Sequence, residues 1–318
     1  MKRPVRWLFY SIIVLSSTAA GQAQESQTAY NFLRLPVSAH VAAVGGDNIT
    51  LTDDDASLIF HNPALIGGVS DRSINLNYMT YMEGAKTASA AFVKGAGDRA
   101  TWGITGQYMD YGTMKQTSAS GEDLGTFSAR DWAVGGTFAY ALTNQLSGGI
   151  TAKFISSHVA GYNSIAVGID LGLNYYDEDR LWSLSAVARN LGGQVKAYDE
   201  DFERIPLDVQ VGVSKQLHGA PLRFHATLSR LTDWDEAFAR HLAVGADVLI
   251  GSSVYIGAGY NFRRAYQMKV TDDEGSSAHG AGLSLGAGLT LERFKLHVAY
   301  GKYHVTTSSI LINISYAL

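Results

Sequence analysis

Three consecutive aspartates, Asp53, Asp54 and Asp55, and nine histidines are the side chains whose chemistry is most open to use. A run of carboxylates can ligate a cation, but Asp followed by Ala-Ser more ordinarily opens a helix. The triplet therefore reads as a solvated cap cluster. The histidines are scattered: His218 falls in a turn, His225 and His297 on polar strand faces, and His279 at a loop edge. No spacing sets a nucleophile beside a base, so His225 and His297 read as structural or water-facing and no catalytic residue is assigned. Gly45-Gly46 lacks the preceding strand and the Lys of a phosphate loop. The chain has no cysteine, which excludes thiol catalysis, thiolate metal sites and disulfides. No cofactor and no metal is expected. A different kind of site is suggested by Trp234, between Asp233 and Asp235, and by Tyr266, close to Asp272 and Asp273. These are aromatic anchors beside charge, the composition of a docking surface.

The elements that must carry these groups are strands. At the end of the chain Ile310, Ile312, Ile314, Tyr316 and Leu318 share one face, and Leu311, Asn313, Ser315 and Ala317 share the other. The same period of two recurs from Ser73 onward about 14 times, an even number with strand lengths suited to a tilted membrane crossing. In the clearest case Ile165, Val167, Ile169, Leu171, Leu173 and Tyr175 oppose Gly168, Asp170, Gly172 and Asn174. Connections after even-numbered strands are tight, such as Thr143-Asn144 and Gly251-Ser252. Several after odd-numbered strands are longer, at 111–128, 192–206, 232–239 and 265–277. Sorting of loops by parity has no purpose in a soluble sandwich, whereas a bacterial membrane barrel has short turns on one side and long loops on the other.

Composition agrees: charged residues are only 17% of the chain, with 34 Gly and 17 Tyr against 5 Pro. Tyrosines near strand ends, among them Tyr78, Tyr108, Tyr140 and Tyr300, suit an interfacial girdle. A net charge of -4 offers nothing to nucleic acid. The fold expected is all-β, an antiparallel transmembrane barrel of about 14 strands with a short, partly helical N-terminal plug. Residues 1–23 read as a signal peptide, with Lys2, Arg3 and Arg6 ahead of an apolar run and a small-x-small site at Gly21-Gln22-Ala23. Residues 24–72 read as the plug and 73–318 as the barrel, which places both mature ends in the periplasm. Within the plug, 38–44 can form a helix ended by Gly45-Gly46, and Asn62-Pro63 turns the chain. The Gly-rich inner face, with few charges, implies a narrow or filled lumen.

The plan resembles the FadL-type outer membrane barrels. Ser38-Ala39-His40-Val41-Ala42-Ala43-Val44-Gly45-Gly46, Asp55-Ala56-Ser57 and Asn62-Pro63-Ala64 match that family's N-terminal pattern. Phe32-Leu33-Arg34-Leu35-Pro36 ahead of them is similar to the PorV/PorQ branch, components of the type IX secretion system of Bacteroidetes. That resemblance implies a non-enzymatic outer membrane component anchoring a PorZ-like surface protein in the cargo-attachment machinery. It further implies contact with other type IX components, outer membrane lipid and lipopolysaccharide, and marks Phe32, Leu33, Pro36, Asp55, Asn62 and Pro63 as the plug motif. The alternative implied by the wider family is transport of long-chain fatty acids or other hydrophobic solutes, with a pocket lined by Phe32, Leu33, Leu35 and Ile59. The chain departs from the common barrel ending in closing on Leu318 rather than an aromatic, with Tyr316 two residues earlier.

Overall fold

The computed structural model describes residues 28–318, apart from 83, 119, 121, 234, 235, 269, 273, 274, 278, 279, 305 and 306. The signal-peptide reading, Trp234 and Asp273 lie outside the described residues, as does the side chain of Asp272.

Fourteen strands close into one antiparallel barrel. In chain order the strands are β1 (Ser73–Thr80), β2 (Lys86–Gly95), β3 (Ala100–Thr117), β4 (Asp123–Ala141), β5 (Leu146–Val159), β6 (Tyr162–Asp177), β7 (Trp182–Lys196) and β8 (Asp208–Gln216). They continue with β9 (Leu222–Leu228), β10 (Leu242–Ile250), β11 (Val254–Asn261), a separate hairpin of β12 (Val270–Asp272) and β13 (Gly275–Ser277), then β14 (Leu283–Thr290), β15 (Phe294–Gly301) and β16 (Ser309–Ala317). Closure comes from β1 on β16, with Ser73 opposite Ala317 and Met79 opposite Leu311. A closed ladder leaves no open edge, which is the condition for a sheet to sit in hydrocarbon.

The exterior is inverted relative to a soluble protein. Leu76 and Ile104 are each 55% exposed, whereas Asn75, between Ile74 and Leu76, is wholly buried. The same phase holds on β6, where Ile169 faces out at 42% exposure and Asp170 faces in at 4%. An apolar outer band over a polar interior identifies a transmembrane barrel. Tyr78, Tyr108, Tyr140, Tyr300 and Tyr316 are exposed on that outer face.

Two long connections hold more structure than the sequence suggested. Residues 111–128 are not a loop: β3 and β4, 18 and 19 residues long, stay paired out to Gln116 opposite Gly125. That is about twice the roughly 9–11 residues a tilted strand needs to cross, so the ribbon stands clear of the membrane. Asn261 caps a short helix, α2 (Phe262–Gln267), within what reads as a plain loop, and the β12–β13 hairpin follows it.

Residues 28–72 lie inside the barrel. They form a 3-10 turn at Asn31–Arg34, the helix α1 (Ala39–Ala43), and 3-10 segments at Ala56–Phe60 and Pro63–Gly68. Ser38, Asp55 and Asn62 supply the N-caps, and Gly45 and Gly46 end α1 at positive φ of 113° and 92°. The described chain starts at Thr28, bridged to Arg204 of the long β7–β8 connection, and Leu318 donates to the Arg72 carbonyl beside the tight turns. Thr28 and Leu318 therefore sit at opposite ends of the barrel.

Candidate functional site

The plug is held by close approach of small residues and by buried ion pairs. Around α1 the wall is glycine. A Cβ placed on Gly259 would fall 2.2 Å from the Gly45 nitrogen and the Val44 carbonyl carbon, and one on Gly286 would fall 2.6 Å from the Ala43 Cβ. On the opposite wall a Cβ on Gly172 would meet Asn62 Oδ1 at 2.1 Å, and one on Gly149 would meet the Pro63 carbonyl carbon at 2.4 Å. These strand glycines exist because backbone lies against backbone.

Charge does the rest, and here the expectation of few luminal charges fails. Arg223 on β9 grips Asp53 with two parallel bonds, Nη1 to Oδ1 at 2.7 Å and Nη2 to Oδ2 at 2.9 Å, and also donates to Asp247 on β10 at 2.6 Å. His40 bridges the same two carboxylates, at 3.0 Å to Asp53 and 2.7 Å to Asp247, while stacked on Tyr255 at 3.5 Å between ring centroids. His225 pairs with Asp247 and with Ser214. Lys295 pairs with Asp54, and His297 lies 3.7 Å from Asp55. The aspartate triplet is thus not a solvated cap cluster. Asp55 does cap the Ala56–Phe60 turn, but all three carboxylates lock plug to wall. Burial opposes ionisation of Asp55, yet the neighbouring His297 imidazole and the Ser57 hydrogen bonds hold it down to about 2. Burial likewise opposes charge on His40, and its bonds to Asp247 and Asp53 outweigh that and raise it. His61 behaves oppositely: its Nε2 accepts from the Ser38 and Val37 amides at 3.1 and 3.3 Å. Burial, reinforced by Arg189, pushes it down to about 3.

Of the plug-motif residues, Phe32 and Leu33 are buried and their carbonyls accept from Gln107 and Arg189 on the wall. Pro36 is buried, and Asn62 donates to the Ile49 carbonyl at 3.0 Å and caps the Ala64 amide. Among the docking candidates, Tyr266 is 50% exposed on α2 with the Arg240 guanidinium 3.2 Å from its ring centre. Asp272 lies in β12.

Two chambers open at the long-loop end. The first, about 370 Å³, is lined by Phe32, Leu35, Tyr81, Met109, Met114 and Tyr198, with the exposed Asn31 at its rim. Its one carboxylate, Asp131, is occupied by the Tyr111 hydroxyl at 2.7 Å and by Ser157. Of the four residues expected to line an apolar pocket, Phe32 and Leu35 do so. Leu33 and Ile59 border only a space of about 20 Å³ deeper in the lumen. The second chamber, about 150 Å³, shares Leu35 as a wall and carries five arginines in its lining. The sequence announced the plug side of the first chamber through Phe32 and Leu35 but not its wall, because Tyr81, Met109 and Tyr198 meet only when the barrel closes.

No protein-family model matches the chain, and no curated protein matches it. Solved structures do share the fold. A TodX deltaS2S3 mutant monoaromatic hydrocarbon channel superposes with a TM-score of 0.61 at 14% identity, covering 88% of this chain and 98% of that one. The Pseudomonas putida toluene transporter TodX gives 0.57 at 13% identity, covering 89% and 98%. A Pseudomonas aeruginosa FadL homologue gives 0.53 at 12% identity, covering 89% and 98%. At these identities the likeness is one of fold.

Proposed function

We propose that this chain is a non-enzymatic outer membrane channel of FadL-like build that admits small hydrophobic solutes at its long-loop end, which faces outward. The observation that carries the reading is the 370 Å³ aromatic and methionine-lined chamber, of a size that suits a small ligand and with its single acid already satisfied. The fold it shares with a hydrocarbon channel and a toluene transporter supports the same reading. Passage beyond the chamber needs the plug to shift or the wall to part. Deeper in the lumen the β6–β7 ladder is irregular: β7 skips Asp170, which instead accepts from the amide of Asn190, a residue at φ 59°. The test is uptake of labelled toluene and oleate by proteoliposomes holding the purified barrel. Ala129→Trp, which fills the chamber from β4, should cut uptake at least fivefold with heat-modifiability unchanged; equal uptake by the variant refutes the route.

A second reading has its own support. At the long-loop end Leu124, Phe202, Phe238 and Tyr266 are exposed apolar or aromatic side chains outside the lipid-facing bands of the strands. Such a rim fits the PorV/PorQ-like role, in which the barrel anchors a PorZ-like surface protein of a type IX secretion system. Under that reading the ion-paired plug is a permanent seal, and a mild-detergent pulldown recovers a surface protein that is lost on Tyr266→Ala.

A further inference from the structure

The second chamber carries more positive charge than its surroundings neutralise. Arg34 of the plug, Arg189 of β7, Arg230 beyond β9, and Arg263 and Arg264 of α2 converge on it. Two carboxylates line the chamber with them, Asp47 and Asp208, while Asp233 and Glu236 lie close by. Asp47 accepts from Asn261 at 2.9 Å and from Ser229 at 3.3 Å. Asp208 accepts from the Arg230 amide at 2.7 Å and from Gln210 at 2.6 Å. Among the described residues Arg263 has an ion pair, with Glu236 at 3.2 Å, whereas none is formed by Arg34, Arg189, Arg230 or Arg264. Burial together with the neighbouring Arg230 pushes Arg34 down to about 10, the response of a guanidinium among like charges.

One arginine shows where the missing partner belongs. Arg264 is 94% buried, being 6% exposed, and three of its donor bonds go to carbonyls, from Nε to Ala281 at 2.7 Å and from Nη2 to Gly282 and Leu283 at 3.0 and 3.2 Å. Its Nη1 donates to no carbonyl or carboxylate, and the guanidinium stacks on Tyr303, 4.5 Å from the ring centre, with the Tyr303 hydroxyl interacting with Arg264 itself. Both lie close against Gly46: a Cβ there would sit 3.4 Å from that Nη1 and 3.2 Å from the hydroxyl. A fixed guanidinium with spare donor capacity, paired with a tyrosine hydroxyl on the wall of an arginine-bearing chamber, suits an oxyanion. The exposed Gln267 lies at the rim, so the chamber is reached from the long-loop end.

We propose that this chamber binds an oxyanion group, a phosphate or carboxylate, with Arg264 and Tyr303 holding it and Arg34 and Arg230 supplying charge. The site is independent of solute passage through the neighbouring chamber, since binding requires no movement of the plug. The chemistry is shared by a free anion and by the head group of an anionic amphiphile whose chain would pass Leu35, so the experiment uses both. Calorimetry on the purified full barrel in a non-ionic detergent measures binding of inorganic phosphate and of decyl phosphate. Saturable binding that weakens as salt rises is the expected result. If inorganic phosphate binds as well as decyl phosphate, the ligand is a free anion; if decyl phosphate binds at least tenfold tighter, it is a head group. Arg264→Gln should weaken binding at least tenfold. Should that variant misfold, the pair Arg34→Gln/Arg230→Gln, whose guanidiniums make no described bond within the chain, should do the same. Arg99→Gln, whose side chain caps carbonyls at a tight turn, should change nothing. Absence of saturable binding by either probe, or unchanged affinity in the Arg34→Gln/Arg230→Gln barrel, overturns the assignment.

Discussion

Acidification should loosen the plug through His61. In the folded plug this imidazole must stay neutral, since Nε2 accepts from the Ser38 and Val37 amides and a protonated ring has no acceptor to offer. Its folded value of about 3 lies below the ordinary 6.5, so the stability it contributes is full above 6.5 and is lost as pH falls toward 3. Between pH 8 and pH 5 linkage gives a loss of about 2 kcal/mol, roughly a 30-fold rise in plug opening. His40 works in the other sense: its raised value stabilises the plug at low pH, and that contribution fades as pH rises through it. A variant separates the two, because His61→Gln retains a neutral acceptor that does not titrate. Hydrogen exchange of the segment at residues 37–44, corrected for intrinsic rates, is the assay. The wild type should lose protection on acidification by roughly 30-fold relative to His61→Gln. Equal pH dependence in the two proteins would refute the assignment of His61 as a neutral acceptor.

Other outcomes follow from the same contacts. Gly259→Val drives a side chain into the Gly45 backbone, so it should displace the plug and raise ion conductance in planar bilayers while heat-modifiability persists. Arg223→Met leaves Asp53 and Asp247 without their shared cation, a loss of about 3–5 kcal/mol in plug stability, read as early proteolysis within residues 28–72. Ile169→Arg puts charge in the outer band at a cost of about 2–4 kcal/mol and should block insertion, measured by heat-modifiability on a gel. Asp170→Asn should insert but lose stability, because Asp170 is the ion-pair partner of buried Lys153 at 2.8 Å. An epitope within 111–128 should be labelled on intact cells and one at Thr143-Asn144 only after permeabilisation.

The barrel was legible because each of its strands has one apolar face. Ile169 and Asp170 announce opposite sides of a wall without any knowledge of their neighbours. The projecting ribbon was not legible, since Thr113, Lys115 and Thr117 on one face and Met114 and Gln116 on the other give no apolar side once the strand leaves lipid. Asn261 ahead of Phe-Arg-Arg-Ala-Tyr-Gln carried a usable cap signal for α2, hidden by its place at a strand end. The site itself was beyond reach. Arg223 meets Asp53 across 170 positions, and His40 meets Asp247 across 207. Each looked like an isolated polar residue until the barrel closed around the plug.

The central claim is that solute enters through the apolar chamber rather than that the barrel serves only as an anchor. The most direct measurement is uptake of labelled toluene and oleate by cells lacking the gene, with display of the PorZ-like surface protein followed in the same cultures. Uptake should be lost and then restored by the wild-type chain but not by Ala129→Trp, with surface display unchanged. Normal uptake together with loss of the displayed partner would contradict the claim and make the scaffold the function.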